Sequence, residues 1–332
     1  MEKLLEVKDL KVSFFTDLGE TQAVKGAGFA IGEGDFFGIV GESGSGKSVT
    51  TKSILRLGPS NCKIMGGEIL FRGEDILKKN EAELREIRGG EIAMIFQDSL
   101  SALNPVYTVG NKMVELIRRH TNMNKKEAKA RVLELLTAVG ITDPEKAMNS
   151  YPHELSGGMR QRVMIAIALA CEPKLLIADE PTTALDVTIQ AQILELMQEL
   201  RKKLGMSIIM ITHDLGVVAS MCEKIAVMYA GHIVEYGTTD EIFYQPGHEY
   251  TKGLINSIPK LNTEVRERLV PIEGTPVDLL NPPAGCPFAP RCKNCMKICL
   301  SKMPPRTELS DTHYTYCWLQ QKAAFEKGEK AE

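Results

Sequence analysis

One glycine-rich segment limits what this 332-residue chain can fold into more than any other feature of its sequence. Gly41-Glu-Ser-Gly-Ser-Gly46-Lys47-Ser48 matches the pattern G-x-x-x-x-G-K-[ST], which binds phosphate when it joins a strand to a helix. FFGIV, at 36–40, predicts the strand, and KSVTTKSILRL predicts the helix. Glycines let backbone N–H groups face phosphate oxygens, and the helix N-terminus adds a positive field. The segment therefore predicts a nucleoside triphosphate site.

Two side chains of this segment have predicted roles. Lys47 is expected to reach the β- and γ-phosphates, and the Ser48 hydroxyl is expected to bind Mg²⁺. The residues predicted to contact the nucleotide here are Gly41, Ser43, Gly44, Ser45, Gly46, Lys47, Ser48 and Val49.

A second motif supplies carboxylates. LLIADE, at 175–180, is an apolar strand that ends in an acidic pair. Asp179 is expected to hold Mg²⁺, directly or through water, opposite Ser48, and Glu180 is expected to polarise the attacking water as general base. Acidic pairs at loop starts are common, so this interpretation depends on the phosphate loop.

The pattern around these motifs predicts an α/β fold. Strand and helix patterns alternate from residue 160 onward and indicate a parallel sheet covered by helices, while about 108 to 155 predicts a mostly helical insert. The net charge of −3 gives no reason to expect nucleic-acid binding. No apolar run approaches the roughly 18 to 20 residues of a membrane span, and the N-terminus lacks a secretory signal. We therefore expect a cytosolic protein that contacts membranes through partners.

LSGGMRQR, at 155–162, decides among nucleotide-binding families. Ser156, Gly157 and Gly158 open a predicted helix and form a second potential anion site. With the preceding motifs, the segment resembles the LSGGQ-like signature of ABC transporter ATPases, although Met159 replaces the glutamine. In that family two subunits face each other, and each signature helix caps the nucleotide held by the partner's phosphate loop.

The resemblance implies roles for further residues. Gln97 resembles the glutamine that senses Mg²⁺ and water and touches the permease, and ALD, at 184–186, resembles the loop that crosses the dimer interface. His213 resembles the histidine that contacts the γ-phosphate. Phe14 resembles the aromatic residue that stacks on adenine, with Phe15 as the alternative.

The same resemblance implies the architecture. Residues 1–240 are expected to form the ATPase domain, a RecA-like P-loop NTPase core with an antiparallel β subdomain and a helical subdomain at about 98–158. From about residue 240 the composition shifts to Pro, Gly and Cys. Residues 241–332 are therefore expected to be an appended Cys-rich extension.

Three segments narrow the subfamily to the importers of di- and oligopeptides. FQDSLSALNPVYTVG, at 96–110, resembles their F-Q-D-P-x-x-S-L-N-P stretch, with Ser99 in place of proline; HEYTKGLINSIP (248–259) and GCPFAPRC (285–292) resemble their tail. This implies two membrane permease subunits, a second related ATPase or a homodimer, an external binding protein and a position on the cytoplasmic face of the membrane. The related nickel importers are the alternative.

Five cysteines crowd into the extension and indicate a metal site. Spacing alone favours a C-x-x-C pair, Cys292 and Cys295, and four thiolates can hold either Zn²⁺ or a [4Fe–4S] cluster. The family pattern, which carries an iron–sulfur cluster in some members, instead matches four of the cysteines: Cys286, Cys292, Cys299 and Cys317.

Two other functions are possible. One is a non-transport ABC ATPase, although the chain has one cassette and no heptad run. The other is an iron–sulfur redox protein with a vestigial nucleotide site, which the complete set of ATPase motifs disfavours.

Overall fold

The structure is a computed structural model that describes residues 3–97, 103–183, 185–258 and 271–321. Two compact units make up the chain. The first is built mainly from Lys78–Ile211, and the second from Leu5–Ala30, Phe37–Leu77 and the chain from Thr212 onward.

Strands and helices alternate along much of the chain. The strands are β1 (Lys3–Thr16), β2 (Gly19–Gly32), β3 (Phe36–Val40), β4 (Cys62–Phe71), β5 (Glu74–Asp75), β6 (Ile92–Ile95), β7 (Leu175–Asp179), β8 (Ser207–Thr212), β9 (Lys224–Tyr229), β10 (His232–Thr238), β11 (Thr307–Glu308) and β12 (Tyr314–Thr315). The α-helices are α1 (Lys47–Ile54), α2 (Glu81–Glu86), α3 (Val109–His120), α4 (Lys125–Ala138), α5 (Pro144–Asn149), α6 (Gly157–Ala168), α7 (Val187–Leu204), α8 (Leu215–Met221), α9 (Thr239–Tyr244), α10 (Glu249–Asn256) and α11 (Lys297–Ser301).

Parallel strands form the sheet of the first unit. β6 pairs with β7 from Ile92 opposite Leu175, and β7 pairs with β8 from Leu175 opposite Ser207. Every residue of β7 is buried, as expected for a parallel strand that is covered on both faces. The carboxyl end of this sheet is therefore where Asp179 and Glu180 leave the core.

Three helices of the first unit confirm the predicted helical insert. α3, α4 and α5 pack on one another. Their N-termini are capped by the side chains of Thr108, Asn124 and Asp143, which accept hydrogen bonds from first-turn N–H groups. α7 is capped in the same way, because Asp186 Oδ1 accepts a hydrogen bond from the Ile189 N–H at 3.0 Å.

The second unit contains an antiparallel sheet in the order β2-β1-β4-β5. β1 pairs with β4 from Leu5 opposite Phe71 to Phe14 opposite Cys62, with a shift in register between Lys8 and Val12. This sheet corresponds to the predicted antiparallel β subdomain.

The other strands of the second unit carry the phosphate loop and the extension. β3, whose five residues are all buried, pairs in parallel with β9, and β9 pairs antiparallel with β10. β12 pairs with β10, with Tyr314 opposite Tyr236, and β11 pairs with β12. The cysteine-rich extension is therefore joined, through β11 and β12, to the sheet that contains β10, β9 and β3.

A buried carboxylate fastens the extension to β10. Glu235 is fully buried and accepts hydrogen bonds from the N–H groups of Gly247 and His248. It also pairs with His313 Nε2 at 2.8 Å. Removal of one of these partners would strongly destabilise the fold, because it would leave the carboxylate buried without compensation. This network sets where α10 begins.

None of the helices in the described part of the chain combines the length and hydrophobicity needed to cross a bilayer.

Candidate active site

The phosphate loop joins the end of β3 to the start of α1, as predicted. Gly41 and Gly46 adopt φ angles of 151° and 104°. A Cβ at Gly41 would collide with the Met228 carbonyl oxygen, and one at Gly46 would lie 2.6 Å from the Ala23 carbonyl oxygen. Only glycine fits these positions, because both the backbone angle and the neighbouring main chain exclude a side chain. Tight packing of the loop ends therefore fixes where the loop leaves the sheet.

Lys47 lies inside the loop and not in solvent. Its side chain is 6% exposed, and Nζ donates hydrogen bonds to the carbonyl oxygens of Gly41 at 2.7 Å and Glu42 at 2.9 Å. Ser43 and Gly44, at the tip, are exposed. The loop thus curves around an ammonium group, while the N-terminal end of α1 adds positive potential. This is a concave, cationic surface suited to a phosphate chain.

Ser45 and Ser48 have different environments. Ser45 is buried, and its Oγ has no hydrogen-bond partner within the described residues. Its carbonyl oxygen accepts a hydrogen bond from the Gly231 N–H at 2.9 Å, which fixes the loop to the β9–β10 turn. Ser48 and Val49 are half-buried in the first turn of α1.

The structure brings Gln97 and Glu180 together in the first unit. Gln97 Nε2 donates a hydrogen bond to Glu180 Oε2 at 2.7 Å. Thr183 Oγ1 donates to the same oxygen at 2.9 Å. Asp179, one residue earlier, is 1% exposed. The Glu180 carboxylate therefore contacts one predicted residue, Gln97, and one residue that the sequence analysis did not predict, Thr183. Nothing in the sequence distinguishes this threonine from others in a loop.

Glu180 is held in an unusual backbone conformation. Its φ angle is 49°, in the left-handed region that residues other than glycine rarely adopt. Its N–H donates a hydrogen bond to the Ile211 carbonyl oxygen at 2.9 Å, which prolongs the β7–β8 pairing by one residue. Such strain costs about 1–3 kcal/mol and is concentrated at functional sites. Here it turns the Glu180 side chain towards Gln97 and Thr183.

The signature segment opens α6 with an accessible turn. Ser156 caps the helix, because its Oγ accepts a hydrogen bond from the Met159 N–H at 3.3 Å, and both Ser156 and Gly157 are exposed. Gly158 packs closely on Ile189 of α7, since a Cβ there would lie 3.1 Å from the isoleucine side chain. The serine-glycine turn can therefore reach a second molecule.

The remaining nucleotide-site predictions fall at exposed or half-buried positions. His213 is exposed directly after β8, between Thr212 and Asp214, which caps α8. Phe14 is half-buried, whereas Phe15 is exposed and lies under Lys63 Nζ, 5.3 Å from the ring centroid. Three predicted segments reach beyond the described residues, at positions 98–102, Ala184 and Pro259.

Four cysteines of the extension surround one cavity. It is also lined by His248 and Phe288. Cys295 does not line it and is exposed. The four thiols at the cavity are those of Cys286, Cys292, Cys299 and Cys317.

Burial favours the neutral form of three of these thiols. It raises the pKa of Cys286 to about 12 and that of Cys292 to about 11, and it raises the pKa of Cys317 as well. Across the ranges that the structure describes, no group of three or more histidine, cysteine, aspartate or glutamate side chains is arranged to hold a metal ion. The described residues therefore do not support the predicted metal site.

Family models match two regions of the chain. Residues 24–183 match the family described as ABC transporter, and residues 234–299 match the one described as the C-terminal region of oligopeptide/dipeptide transporters. The first region contains the phosphate loop, Gln97, the signature turn and the acidic pair.

Individual relatives match almost the whole chain. The dipeptide transport ATP-binding protein DppD of Bacillus subtilis is 54% identical over 98% of this chain and 97% of its own length. The oligopeptide transport ATP-binding protein OppD of the same organism is 56% identical over 96% of this chain and 89% of its own length.

A solved dimeric structure shares the cassette fold. The bacterial ABC transporter cassette MJ0796 has a TM-score of 0.64 and 30% identity, over 71% of this chain and 98% of that one. A further structure of this cassette, in a post-hydrolysis state bound to ADP and Pi, matches equally well. The chain therefore belongs to the ABC transporter family, as an ATP-hydrolysing subunit of the oligopeptide/dipeptide transporter type.

Proposed function

We propose that this chain hydrolyses ATP to drive the import of di- or oligopeptides through a membrane permease. The observation that carries the hydrolytic part is the Glu180 carboxylate, which leaves a buried strand in a strained conformation and accepts hydrogen bonds from Gln97 and Thr183. The peptide class is supported by the match at residues 234–299 and by relatives that are dipeptide and oligopeptide transport proteins.

The nucleotide site is proposed to draw its residues from several of the predicted motifs. Backbone N–H groups of the loop and Lys47 bind the phosphates, and Phe14 or Phe15 stacks on adenine. Ser48 and Gln97 hold Mg²⁺, and Asp179 holds it directly or through water. The loop residues proposed to contact ATP are Gly41, Ser43, Gly44, Ser45, Gly46, Lys47, Ser48 and Val49.

Hydrolysis is proposed to use three side chains. Glu180 accepts a proton from the attacking water, and Gln97 orients both that water and the carboxylate. His213 contacts the γ-phosphate. Gln97 and Thr183 both donate to the Glu180 carboxylate and hold it in one orientation.

The working assembly is proposed to contain two ATPase subunits. The exposed turn Ser156-Gly157-Gly158 at the start of α6 is suited to cap the γ-phosphate of a nucleotide held by the partner. ATP then favours the closed pair, because it contacts both subunits only when they meet. The partner is a related ATPase or a second copy of this chain.

The remaining partners follow from the family. They are two membrane permease subunits and an external substrate-binding protein, so we place the chain on the cytoplasmic face of the membrane. We also propose the division into an ATPase domain (1–240), with its helical subdomain at about 98–158, and an extension (241–332).

Cys286, Cys292, Cys299 and Cys317 are proposed to hold a [4Fe–4S] cluster. Four thiols around one cavity, three of them buried, match the Cys₄ ligation of such a cluster. Zn²⁺, which four thiolates can also hold, is the alternative. When bound, the cluster supplies a covalent cross-link to a segment that has little apolar core of its own.

Reconstituted transport tests the proposal. The chain is assembled in vesicles with its permease subunits, partner ATPase and binding protein, and uptake of labelled dipeptides, oligopeptides and Ni²⁺ is measured with and without ATP. ATP-dependent peptide uptake is expected. Uptake of Ni²⁺ alone would assign the nickel-importer alternative, and ATP hydrolysis without any coupled uptake would favour a non-transport ATPase.

A separate measurement tests the redox alternative. Chemical reduction is expected to change the electron paramagnetic resonance spectrum of the cluster without changing ATPase activity. ATPase activity that switches with the oxidation state would favour a redox protein.

A further inference from the structure

Two residues of the extension bind Glu42 of the phosphate loop. The Glu42 N–H donates a hydrogen bond to Tyr250 Oη at 2.8 Å. Its carboxylate accepts a pair of hydrogen bonds from Arg291, with Nη1 at 2.6 Å from Oε2 and Nη2 at 2.9 Å from Oε1. Its carbonyl oxygen accepts the hydrogen bond from Lys47 Nζ. Glu42 thus makes contacts through its N–H, its carboxylate and its carbonyl oxygen, and residues of the extension bind the first two of these groups.

Arg291 is held rigidly at this contact. Only 4% of its side chain is exposed, and it is the last residue of the 3₁₀ turn Ala289–Arg291. Nε donates to the Glu273 carbonyl oxygen at 3.1 Å, and Nη2 donates to that of Ile272 at 3.2 Å. The guanidinium group also lies 5.9 Å from the ring centroid of Phe288. A planar fork fixed in this way orients the carboxylate as well as neutralising it.

The same part of the extension borders the space beside the loop. Pro276, Val277 and Leu279 line a cavity of about 460 Å³ together with residues Glu42 to Ser45. Glu42 is partly exposed, with 27% of its side chain accessible. Without Arg291, its negative charge would lie unneutralised next to a site for an anionic triphosphate, where the low dielectric of the protein strengthens repulsion.

We propose that Arg291 is a positioning residue for ATP binding, which neutralises Glu42 and holds the phosphate loop in the shape that receives the triphosphate. The proposal rests on the assignment of residues 41–48 to the phosphates of ATP. The other possible role of the pair is to fasten the extension to the core. That role would change the stability of the protein and leave the affinity of the folded protein for MgATP unchanged.

A double-mutant cycle in the full chain separates the two roles. Dissociation constants for MgATP and melting temperatures are measured for Arg291→Met, Glu42→Gln and the double variant. Arg291→Met is expected to weaken MgATP binding about tenfold, equivalent to about 1.4 kcal/mol. The double variant is expected to bind better than Arg291→Met, because the unneutralised charge is gone. In the assembled transporter, Arg291→Met should raise KM for ATP more than it lowers kcat.

Matched variants complete the test. Lys293→Met removes a cation two residues away, whose side chain is 69% exposed, and should leave MgATP binding unchanged. Arg291→Lys keeps the charge but loses the fork, so we expect about threefold weaker binding. If Arg291→Met does not fold, Arg291→Lys and Glu42→Gln are measured alone, and binding by Arg291→Lys equal to that of wild type contradicts the proposal.

Three further results decide the outcome. The proposal is wrong if Arg291→Met binds MgATP within twofold of wild type, whatever its melting temperature, or if the double variant binds as weakly as the two single losses combined. Lys47→Ala tests the underlying assignment separately. Wild-type MgATP binding by Lys47→Ala would show that the phosphate loop itself had been misassigned.

Discussion

Gln97 and Glu180 meet at the carboxyl end of the first unit's parallel sheet, with Gln97 Nε2 2.7 Å from Glu180 Oε2. They lie 83 positions apart in the sequence and reach this point at the ends of two adjacent strands, β6 and β7. A general base must point at the proton that it accepts, and the neutral Gln97 amide fixes the orientation of the Glu180 carboxylate.

Replacement of Glu180 by glutamine should abolish turnover and retain nucleotide binding. The amide has nearly the same shape but cannot accept the proton from water, so we expect ATPase activity to fall by about 10²- to 10⁴-fold. The measurement is ATPase activity of the assembled transporter beside MgATP binding and dimerisation of the isolated chain. Because hydrolysis no longer ends the closed state, the ATP-bound dimer should accumulate.

Glu195→Gln is the matched control for this experiment. It makes the same change at an exposed position of α7 in the same unit and should leave ATPase activity unchanged. Activity of Glu180→Gln close to that of wild type would show that another group is the base.

Gly46→Ala should prevent MgATP binding. The new Cβ would lie 2.6 Å from the Ala23 carbonyl oxygen at a φ of 104°, so the loop must shift away from β2. Gly73→Ala is the control, since Gly73 also has positive φ, 81°, but open space around it. Both changes cost about 1 kcal/mol of backbone strain, but only Gly46→Ala should lose nucleotide affinity in a binding titration. Equal affinities of the two variants would contradict the role of the loop.

Cys286→Ser and Cys295→Ser should differ in metal content. Cys286 lines the four-cysteine cavity and Cys295 does not. In anaerobically purified protein, Cys286→Ser should lose the visible absorption and the iron and sulfide of a cluster, and its melting temperature should fall. Cys295→Ser should keep all three. Zinc in place of iron would select the alternative metal, and cluster loss in Cys295→Ser alone would show that the C-x-x-C pair supplies the ligands.

Because of His232, the free energy of unfolding should fall as the pH is lowered from about 6.5 to about 4. Burial, and to a smaller extent the charge of Lys25, lowers the pKa of His232 to about 4 from 6.5. Between these values the unfolded chain binds more protons than the folded one, so the free energy of unfolding rises with pH in that window. His232→Gln should make this dependence shallower, as measured by denaturant unfolding at several pH values.

His153→Gln provides the comparison for this pH series. His153 is exposed, and its replacement should leave the slope between pH 4 and 6.5 as in wild type. Identical slopes for His232→Gln and wild type would contradict the assignment of this dependence to His232.

Local sequence patterns determined much of the fold. The strand before Gly41 and the helix from Lys47 follow from residue types within about fifteen positions, and the cap of α7 at Asp186 follows from one side chain and the N–H groups next to it. The helical insert between 108 and 155 was predictable for the same reason. In each case the interactions that decide the structure connect near neighbours.

Contacts between distant segments were decided only by the tertiary structure. Arg291 and Glu42 are 249 positions apart, and they meet because the extension joins the sheet that carries the phosphate loop. Thr183 reaches Glu180 because a left-handed residue turns the chain at that point. The spacing of the five cysteines allowed more than one set of four, and only the folded chain brings four of them around a cavity. Spacing constrains which partners are possible, whereas the path of the backbone decides which of them come within bonding distance.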